Sequence, residues 1–186
     1  MGILSYGMIV SLDGFVNGLD GDFDWAMPDE EIHSFANEVD SRIGTFLYGR
    51  RMFETMRAWA DDGMLIDQPA AVREYATIWR AADKIIISST IDDPGLPRTT
   101  VMRQFDPDAV RELKRTTERD LSVSGPMLAA SMLQAGLVDE LDLFVAPVVV
   151  GSGTAFFPPG LRLDLELLEW RRFASGMVYL RYAVVN

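Results

Sequence analysis

Residues 121–136 read LSVSGPMLAASMLQAG, and this stretch decides how the chain folds. A short apolar strand ends at Ser124 and turns through Gly125 and Pro126 directly into a helix. Proline suits the first helical position because the N–H that it lacks would have no partner there, and Gly136 suits the C-terminal cap. Such a turn directs unpaired backbone N–H groups beyond the strand, where they bind anions. A well-capped core helix explains the same residues, so the rest of the chain has to separate the two interpretations.

The composition is that of one globular domain. The 186 residues are 48% hydrophobic, and no linker, repeat or low-complexity segment divides residues 1–186, which predicts a single domain with a substantial core. The chain contains no cysteine, which excludes disulfides, a thiol nucleophile and a cysteine-based zinc site. No basic and apolar leader opens the sequence, and prolines and glycines interrupt the uncharged run 143–161, so we expect a cytoplasmic protein without a membrane partner.

Charge divides the chain into two regions. The net charge of −11 argues against nucleic acid as a partner, because basic surface supplies most of that affinity. Residues 1–41 contain nine carboxylates and no lysine or arginine, whereas residues 42–119 hold 13 of the 17 basic side chains. This distribution fits one site with an acidic half and a basic half, and it also fits a solvated acidic face. An anionic ligand is expected to bind the basic middle.

Strand and helix patterns alternate along the chain. Strands are predicted over 3–10, 45–48, 84–88, 100–102, 121–124 and 140–150. Helices are predicted from Pro28 through an apolar face that ends at Ile43, over 50–59, over 69–81, from Pro107 after an N-cap at Asp106, and over 126–135. The tail predicts a hairpin in which 164–173 pairs with 177–185. The order is typical of a three-layer α/β/α fold whose central sheet is mainly parallel, with an antiparallel C-terminal hairpin at its edge.

Three of the predicted strands end in small polar or basic groups: Gly49-Arg50-Arg51, Ser88-Ser89-Thr90 and Ser124-Gly125-Pro126. Ligands of open parallel sheets bind beyond these strand ends, so the three segments predict a cradle for a phosphorylated cofactor. Two arginines in the first turn of a helix oppose its dipole at a cost of about 0.3–1 kcal/mol each, and a bound phosphate would reverse that sign. Pairing with Glu54 accounts for the arginines equally well, and the serines also suit ordinary turns.

In this order and spacing the sequence resembles the dihydrofolate reductase superfamily, and within it the RibD C-terminal domain-like group. The resemblance covers nearly the whole chain. It is carried by Ser11-Leu12-Asp13-Gly14, by YGRRMFE at 48–54, by IISS at 86–89, by VSGP at 123–126, and by DEL at 139–141 with PVVVGSG at 147–153.

The resemblance implies that the cofactor is NADPH. By family position Arg50 and Ser89 would bind the 2′-phosphate, with Arg103 as a third candidate. The pyrophosphate would lie against Ser124, Gly125 and the backbone N–H groups of the helix that follows. The remaining members of the predicted cofactor site are Gly49, Arg51, Ser88, Pro126, Met127 and Leu128.

The resemblance also implies a substrate pocket near the first helix. Glu31 and Phe35 have the four-residue spacing of a carboxylate and an aromatic ring on one helix side, so Glu31 is predicted to polarise and protonate the substrate. Alternatively, Glu31 only stabilises the helix, because a glutamate in the first turn interacts favourably with the helix dipole. Asp13 is predicted to shape the neighbouring turn. Pocket walls are predicted at Ile9, Val16, Trp25 and Phe35, although core packing explains such apolar residues too, and His33 is predicted to face solvent.

The sequence departs from its relatives in three places. Gly7 and Phe15 replace two lysines that are usual in riboflavin-pathway reductases, which argues against a phosphorylated ribosylamino-pyrimidine as substrate, and Met52 replaces a threonine usual in dihydrofolate reductases. Residues 20–31 have the acidic spacing of a calcium loop, but Trp25 occupies the glycine position, so no metal is predicted.

Two functions follow from these patterns. The first is an NADPH-dependent reductase that transfers a hydride to a small pterin-like, pyrimidine-like or other flat heteroaromatic substrate. The second is a non-catalytic, homodimeric small-molecule binding or resistance protein on the same fold, with the apolar strand 143–150 and the C-terminal hairpin as candidate interfaces. Either protein is expected to be a homodimer.

Overall fold

The computed structural model describes residues 1–185. Within them, ten strands form one eight-stranded sheet and one two-stranded sheet, and five α-helices cover the large sheet. The strands are β1 (Leu4–Ser11), β2 (Phe15–Asn17), β3 (Ile43–Gly49), β4 (Asp83–Ile87), β5 (Thr99–Met102), β6 (Asp120–Ser124), β7 (Glu140–Ala146), β8 (Thr154–Ala155), β9 (Asp164–Arg172) and β10 (Val178–Val185). The helices are α1 (Glu30–Asp40), α2 (Arg50–Met56), α3 (Ala70–Ala81), α4 (Pro107–Thr116) and α5 (Pro126–Gln134), with 3₁₀ turns at Asp24–Ala26, Arg57–Ala60 and Gly63–Leu65.

The central sheet has the strand order β5-β4-β3-β6-β1-β7-β10-β9. The first six strands in this order are parallel, β10 runs antiparallel to β7, and β9 closes the edge as the other strand of the hairpin. This arrangement confirms the predicted α/β fold with a mainly parallel sheet and an antiparallel edge. None of the helices in residues 1–185 combines the length and the apolar composition of a membrane span.

The two faces of the central strands differ in character. On one face Tyr6 of β1 and Leu121 and Val123 of β6 are fully buried in a core that includes Met132 of α5 and Val110 of α4. Because side chains alternate along a strand, the opposite face of β1 and β6 presents small residues. That opposite face lies toward α1, α2 and α3.

Beneath α1, α2 and α3 the core is split into two aromatic clusters. Phe35 of α1 packs with Phe144 and Tyr179, whereas Phe53 of α2 and Trp79 of α3 pack with residues of β3 and β4. The two clusters lie on either side of the small residues of β1 and β6, so the helices leave a gap over the middle of the sheet.

Helix α5 has the predicted caps. Pro126 occupies the first turn of α5, Gly125 precedes it with φ 99°, and Gly136 follows the helix with φ 63°. Both glycines have left-handed φ values that an L side chain rarely adopts. Asp106 likewise caps α4 as predicted, accepting from the N–H groups of Asp108 and Ala109.

Three predicted boundaries are wrong. Ile43 begins β3 and does not belong to the first helix, which ends at Asp40 and is capped by Ser41. The strand expected to reach Val150 stops at Ala146, because Pro147 lacks the N–H that a ladder needs. The second helix ends at Met56 and continues only as a 3₁₀ turn.

Candidate functional site

A cavity of about 290 Å³ fills the gap between the two aromatic clusters. Its floor is the small-residue face of β1 and β6, namely Ser5, Gly7, Ser122 and Ser124. The walls come from β1, α1, β3, the α2 region, α3 and β7, and they include Ile9, Pro28, Ile32, His33, Ala36, Val39, Asp40, Phe46, Met52, Met56, Trp59, Tyr75, Asp142 and Phe144. The volume lies near the lower end of small-molecule sites, about 300–1,000 Å³. It therefore suits a single small ring system.

The absence of a side chain at Gly7 enlarges the cavity. A Cβ atom added at this position would lie 3.1 Å from the Cβ of Asp142 on the neighbouring strand β7. A larger side chain would have to extend into the cavity or displace Asp142, and the cavity volume therefore depends on glycine here.

Asp40 is a half-buried carboxyl group in the cavity wall, at the end of α1. Burial, and next the nearby charge of Asp142, raise the pKa of Asp40 to about 7, while a hydrogen bond with Tyr75 and the charge of Arg42 oppose the shift. Among residues 1–185 Asp40 has no ion-pair partner within 4.0 Å. Its position and pKa allow Asp40 to hold or release a proton near neutral pH.

Asp142 is also buried against the cavity, but its oxygens are occupied. The Tyr179 hydroxyl donates to Oδ1 at 2.5 Å, and Arg42 donates to Oδ2 at 3.3 Å. Arg42 also contacts Glu140 at 3.0 Å and Asp120 at 3.6 Å. Burial raises the pKa of Asp142, and the Tyr179 hydrogen bond and the Arg42 charge counter that shift. Asp142 is thus held in a structural network, and Asp40 is the freer carboxyl group.

His33 lines the cavity, which corrects the prediction that it faces solvent. Its ring meets Trp59 and Tyr75 edge-on, with centroid distances of 6.1 and 5.8 Å. Helix α1 packs against α3 as well as the sheet, and Asn37 donates to the Ala71 carbonyl at 2.8 Å. Because α1 contacts both the sheet and α3, it buries more of its surface than its apolar residues alone indicate, and His33 lies within the buried part. The Nδ1 atom of His33 is buried without a hydrogen-bond partner in the structure.

Most of the predicted cofactor residues follow the C-terminal ends of three strands, β3, β4 and β6, which we call the cofactor edge. Several of their side chains already have hydrogen-bond or ion-pair partners. Arg50 pairs with Glu54 at 3.1 Å, both side chains being half exposed. Ser88 Oγ accepts from the N–H groups of Thr90 and Ile91 in a turn, and Arg103 pairs with Asp92 at 2.9 Å. Arg51 and Ser89 are exposed.

The start of α5 is the strongest part of this edge as a phosphate cradle. No side chain caps the helix, and the N–H groups of Met127 and Leu128 have no backbone acceptor within residues 1–185. A Cβ at Gly125 would lie 3.3 Å from the Cβ of Met52. The free donors and the close approach that glycine permits fit a pyrophosphate group.

The orientation of α1 places the two substrate-side residues predicted on this helix, Glu31 and Phe35, outside the cavity lining. Phe35 belongs to the aromatic cluster with Phe144, Phe173 and Tyr179, and it is not among the residues that line the cavity. Glu31 is exposed, and its carboxylate accepts from the Ala174 N–H at 3.2 Å and lies 3.6 Å from Arg171. The cavity side of α1 carries Ile32, His33, Ala36, Val39 and Asp40.

The remaining predicted residues divide between the cavity and the core. Ile9 lines the cavity, whereas Val16 is buried in the core cluster that contains Tyr6, and Trp25 packs on the Phe35 cluster. Asp13 accepts from the N–H groups of Val150 and Gly151 at 3.2 and 2.8 Å, which fastens the turn after β1 to the loop after β7. A hydrogen bond with Ser11 is the main cause of the lowered pKa of Asp13.

The alternation of small and large residues along β1 and β6 indicates the cavity from the sequence alone. Serine or glycine at 5, 7, 122 and 124 alternates with large apolar residues at 4, 6, 121 and 123. A strand that is bulky on one face and small on the other leaves room on the small face. The carboxyl groups gave no comparable signal, because Asp40 and Asp142 come together only through the packing of α1 on β7.

The parallel sheet with its cavity and its strand-end cradle defines a dihydrofolate reductase-like α/β fold. The chain matches the RibD C-terminal domain family over residues 3–179, and it belongs to that family. It is 30% identical over 182 residues to the uncharacterized protein YyaP of Bacillus subtilis (strain 168), covering 94% of this chain and 91% of that protein.

Solved structures show the same fold at low sequence identity. A pyrimidine reductase-like protein from Corynebacterium diphtheriae superposes with a TM-score of 0.69 at 15% identity, covering 100% of this chain and 92% of that one. Dihydrofolate reductase from Enterococcus faecalis, complexed with NADP(H), superposes with a TM-score of 0.66 at 16% identity, covering 100% and 98%.

Proposed function

We propose that the protein is an NADPH-dependent reductase of a small, flat heteroaromatic substrate. The observation that carries this proposal is that the cavity and the predicted cofactor edge meet. Ser124 belongs to both, and Met52 lines the cavity while limiting the space at Gly125. A ligand in the cavity would therefore lie beside a cofactor bound at the strand ends. The names of the two solved relatives, a pyrimidine reductase-like protein and a dihydrofolate reductase, support the same class.

NADPH, when bound, supplies the hydride. The start of α5 would hold its pyrophosphate through the N–H groups of Met127 and Leu128, and Arg50 would bind the 2′-phosphate once released from Glu54. Hydride transfer to a C=N bond also requires a proton. Asp40 is the group we assign to hold the buried edge of the substrate and supply that proton, because it lines the cavity and carries a pKa of about 7.

A direct test is the oxidation of NADPH by the purified chain with a panel of pterins and pyrimidines. Substrate-dependent loss of NADPH absorbance is the expected result. Ligand binding without any oxidation across the panel would instead identify the non-catalytic binding protein. Absence of NADPH binding at about millimolar concentration, the upper end of the usual range for enzyme substrates, would exclude both the cofactor and the reductase.

We expect Arg50→Ala to weaken NADPH binding by about 10- to 100-fold and to change NADH binding by less than about threefold, because a hydrogen bond to a charged group contributes about 1.5–3 kcal/mol. Titration of both cofactors, followed by the fluorescence of the four tryptophans, measures the effect. Arg111→Ala is the matched control, since Arg111 is an exposed arginine outside the predicted cofactor site that pairs with a carboxylate on its own helix, as Arg50 does. Equal losses for NADPH and NADH in Arg50→Ala would contradict the 2′-phosphate role.

We also propose that two copies of the chain associate through the hairpin. Leu165, Leu167 and Trp170 are 40%, 49% and 66% exposed, and they pair with Val184, Tyr182 and Leu180 of β10 on one apolar face. Cross-strand partners share a sheet face, so this face contains no acidic side chain, in contrast to Glu166 and Glu169 on the other. A chain with a net charge of −11 repels its own copies elsewhere, which favours association through this face, on which Arg172 is the only charged side chain of β9.

Light scattering after size-exclusion chromatography tests the association. The wild-type chain is expected to have the mass of a dimer, and Trp170→Glu the mass of a monomer, because a buried unpaired carboxylate is costly. Glu166→Gln, on the opposite face of β9, should remain a dimer. A monomeric wild-type chain at about 0.1 mM, above the dissociation constants of stable dimers, would contradict the proposal.

A further inference from the structure

The cavity is lined by two carboxyl groups, and His33 is the one basic side chain of residues 1–185 that lines it. Asp40 and Asp142 line it, and no lysine or arginine of residues 1–185 does. Arg42 lies behind Asp142, but its guanidinium is shared among three carboxylates at 3.0–3.6 Å. An anionic group entering the cavity would therefore lose its hydration without gaining a free cation as a partner.

The segment that leads to the cavity wall is acidic as well. Pro28 lines the cavity, and it is flanked by exposed carboxylates at 22, 24, 29, 30 and 31. Residues 1–41 contain no lysine or arginine to offset them. Exposed charges act over a Debye length of about 8–10 Å, so this segment adds a negative potential to the substrate side of the site.

The polar groups that remain in the cavity suit an uncharged ring. Ser5, Ser122 and Ser124 lie on the floor, where the Ser5 hydroxyl already donates to the Leu121 carbonyl at 3.4 Å. The buried Nδ1 atom of His33 has no hydrogen-bond partner among residues 1–185. Ring nitrogens, carbonyl groups and amino groups of a neutral heterocycle offer the donors and acceptors that such groups need. The basic side chains of the cofactor edge, Arg50 and Arg51, are not among the lining residues.

We propose that the substrate is an uncharged ring system without a phosphate or carboxylate group, and that the cavity discriminates against analogues that carry one. The proposal rests on the proposed function, because that function places the substrate in the cavity. The site would then have a basic half for the anionic cofactor and an acidic half that keeps anionic substrates out.

Calorimetric titration of the full chain with three probes near pH 7 tests the proposal. Pterin is the neutral ring, 6-hydroxymethylpterin is a neutral analogue of increased size, and pterin-6-carboxylate carries an anion at the same position. The two neutral probes are expected to bind within about threefold of each other, and the carboxylate at least about tenfold more weakly, a difference of about 1.4 kcal/mol.

Two variants locate the discrimination. Asp40→Asn is expected to reduce the penalty on pterin-6-carboxylate, whereas Glu31→Gln, which changes a carboxylate outside the cavity lining, leaves most of it in place. Binding of pterin-6-carboxylate as tight as that of 6-hydroxymethylpterin would overturn the inference and leave the reductase standing. Failure of all three probes to bind would overturn the proposed heteroaromatic substrate itself.

Discussion

Asp40→Asn is expected to lower kcat by about 10²-fold or more at pH 6, since a positioned general acid contributes about 10²–10⁴-fold. The asparagine keeps the shape of the side chain and a hydrogen-bonding group beside Tyr75, but it has no acidic proton to supply. Steady-state NADPH oxidation, with the substrate that the panel identifies, measures the loss.

The pH profile separates this role from a structural one. Because the pKa of Asp40 is raised to about 7, its carboxyl is protonated at lower pH and becomes ionised as the pH rises through that value. The wild-type rate should therefore fall as the pH rises through 7, and the rate of Asp40→Asn should be nearly independent of pH there. A variant that keeps the wild-type profile would show that another group supplies the proton.

Stability gives an independent control for the same variant. A carboxyl group whose pKa is higher in the folded than in the unfolded chain reduces stability as the pH rises from the unfolded value to about 7. Asp40→Asn removes that group, so at pH 8 it should be at least as stable as the wild type in urea.

Glu31→Gln should keep kcat within about twofold, as is usual for substitutions that remove only a surface pair.

The sequence predicted best what local patterns determine. The caps of α5 at Pro126 and Gly136 and the cap of α4 at Asp106 depend on a few neighbouring residues, and all three are found in the structure. The parallel sheet followed from the alternation of strands and helices, because a parallel pair requires a crossover.

The candidate site depended on contacts that local patterns do not contain. The apolar spacing of α1 located its buried face, but it did not reveal that α3 also packs on this helix and turns His33 inward. The same limitation explains why the sequence pointed to Glu31 and not to the carboxyl group that lines the cavity, since Glu31 and Asp40 both belong to α1 and only the packing of this helix places Asp40 at the cavity. The raised pKa of Asp40 comes first from its burial under the packed helices and next from the charge of Asp142, which belongs to a distant strand.

Arg42→Met should destabilise the fold by about 3 kcal/mol at pH 8, because removal of one partner leaves a buried carboxylate without its countercharge. Arg42 is the cation nearest to Asp142, whose side chain is only 5% exposed, and it also holds Glu140 at 3.0 Å. Urea unfolding monitored by circular dichroism gives the free energy of unfolding. Arg115→Met is the control, since its pair with Glu112 is exposed on α4 and surface pairs contribute about 0–1 kcal/mol.

The pH dependence identifies Asp142 as the cause of this loss. Burial already raises the pKa of Asp142 in the wild-type chain, and loss of the Arg42 charge, which lowers it, raises it further. The deficit of Arg42→Met should therefore shrink as the pH is lowered from 8 toward 5, where the carboxyl group takes up a proton in the folded state. The double variant Arg42→Met/Asp142→Asn should recover part of the stability at pH 8. A deficit of the same size at both pH values, with no recovery in the double variant, would mean that Arg42 stabilises the fold through packing alone.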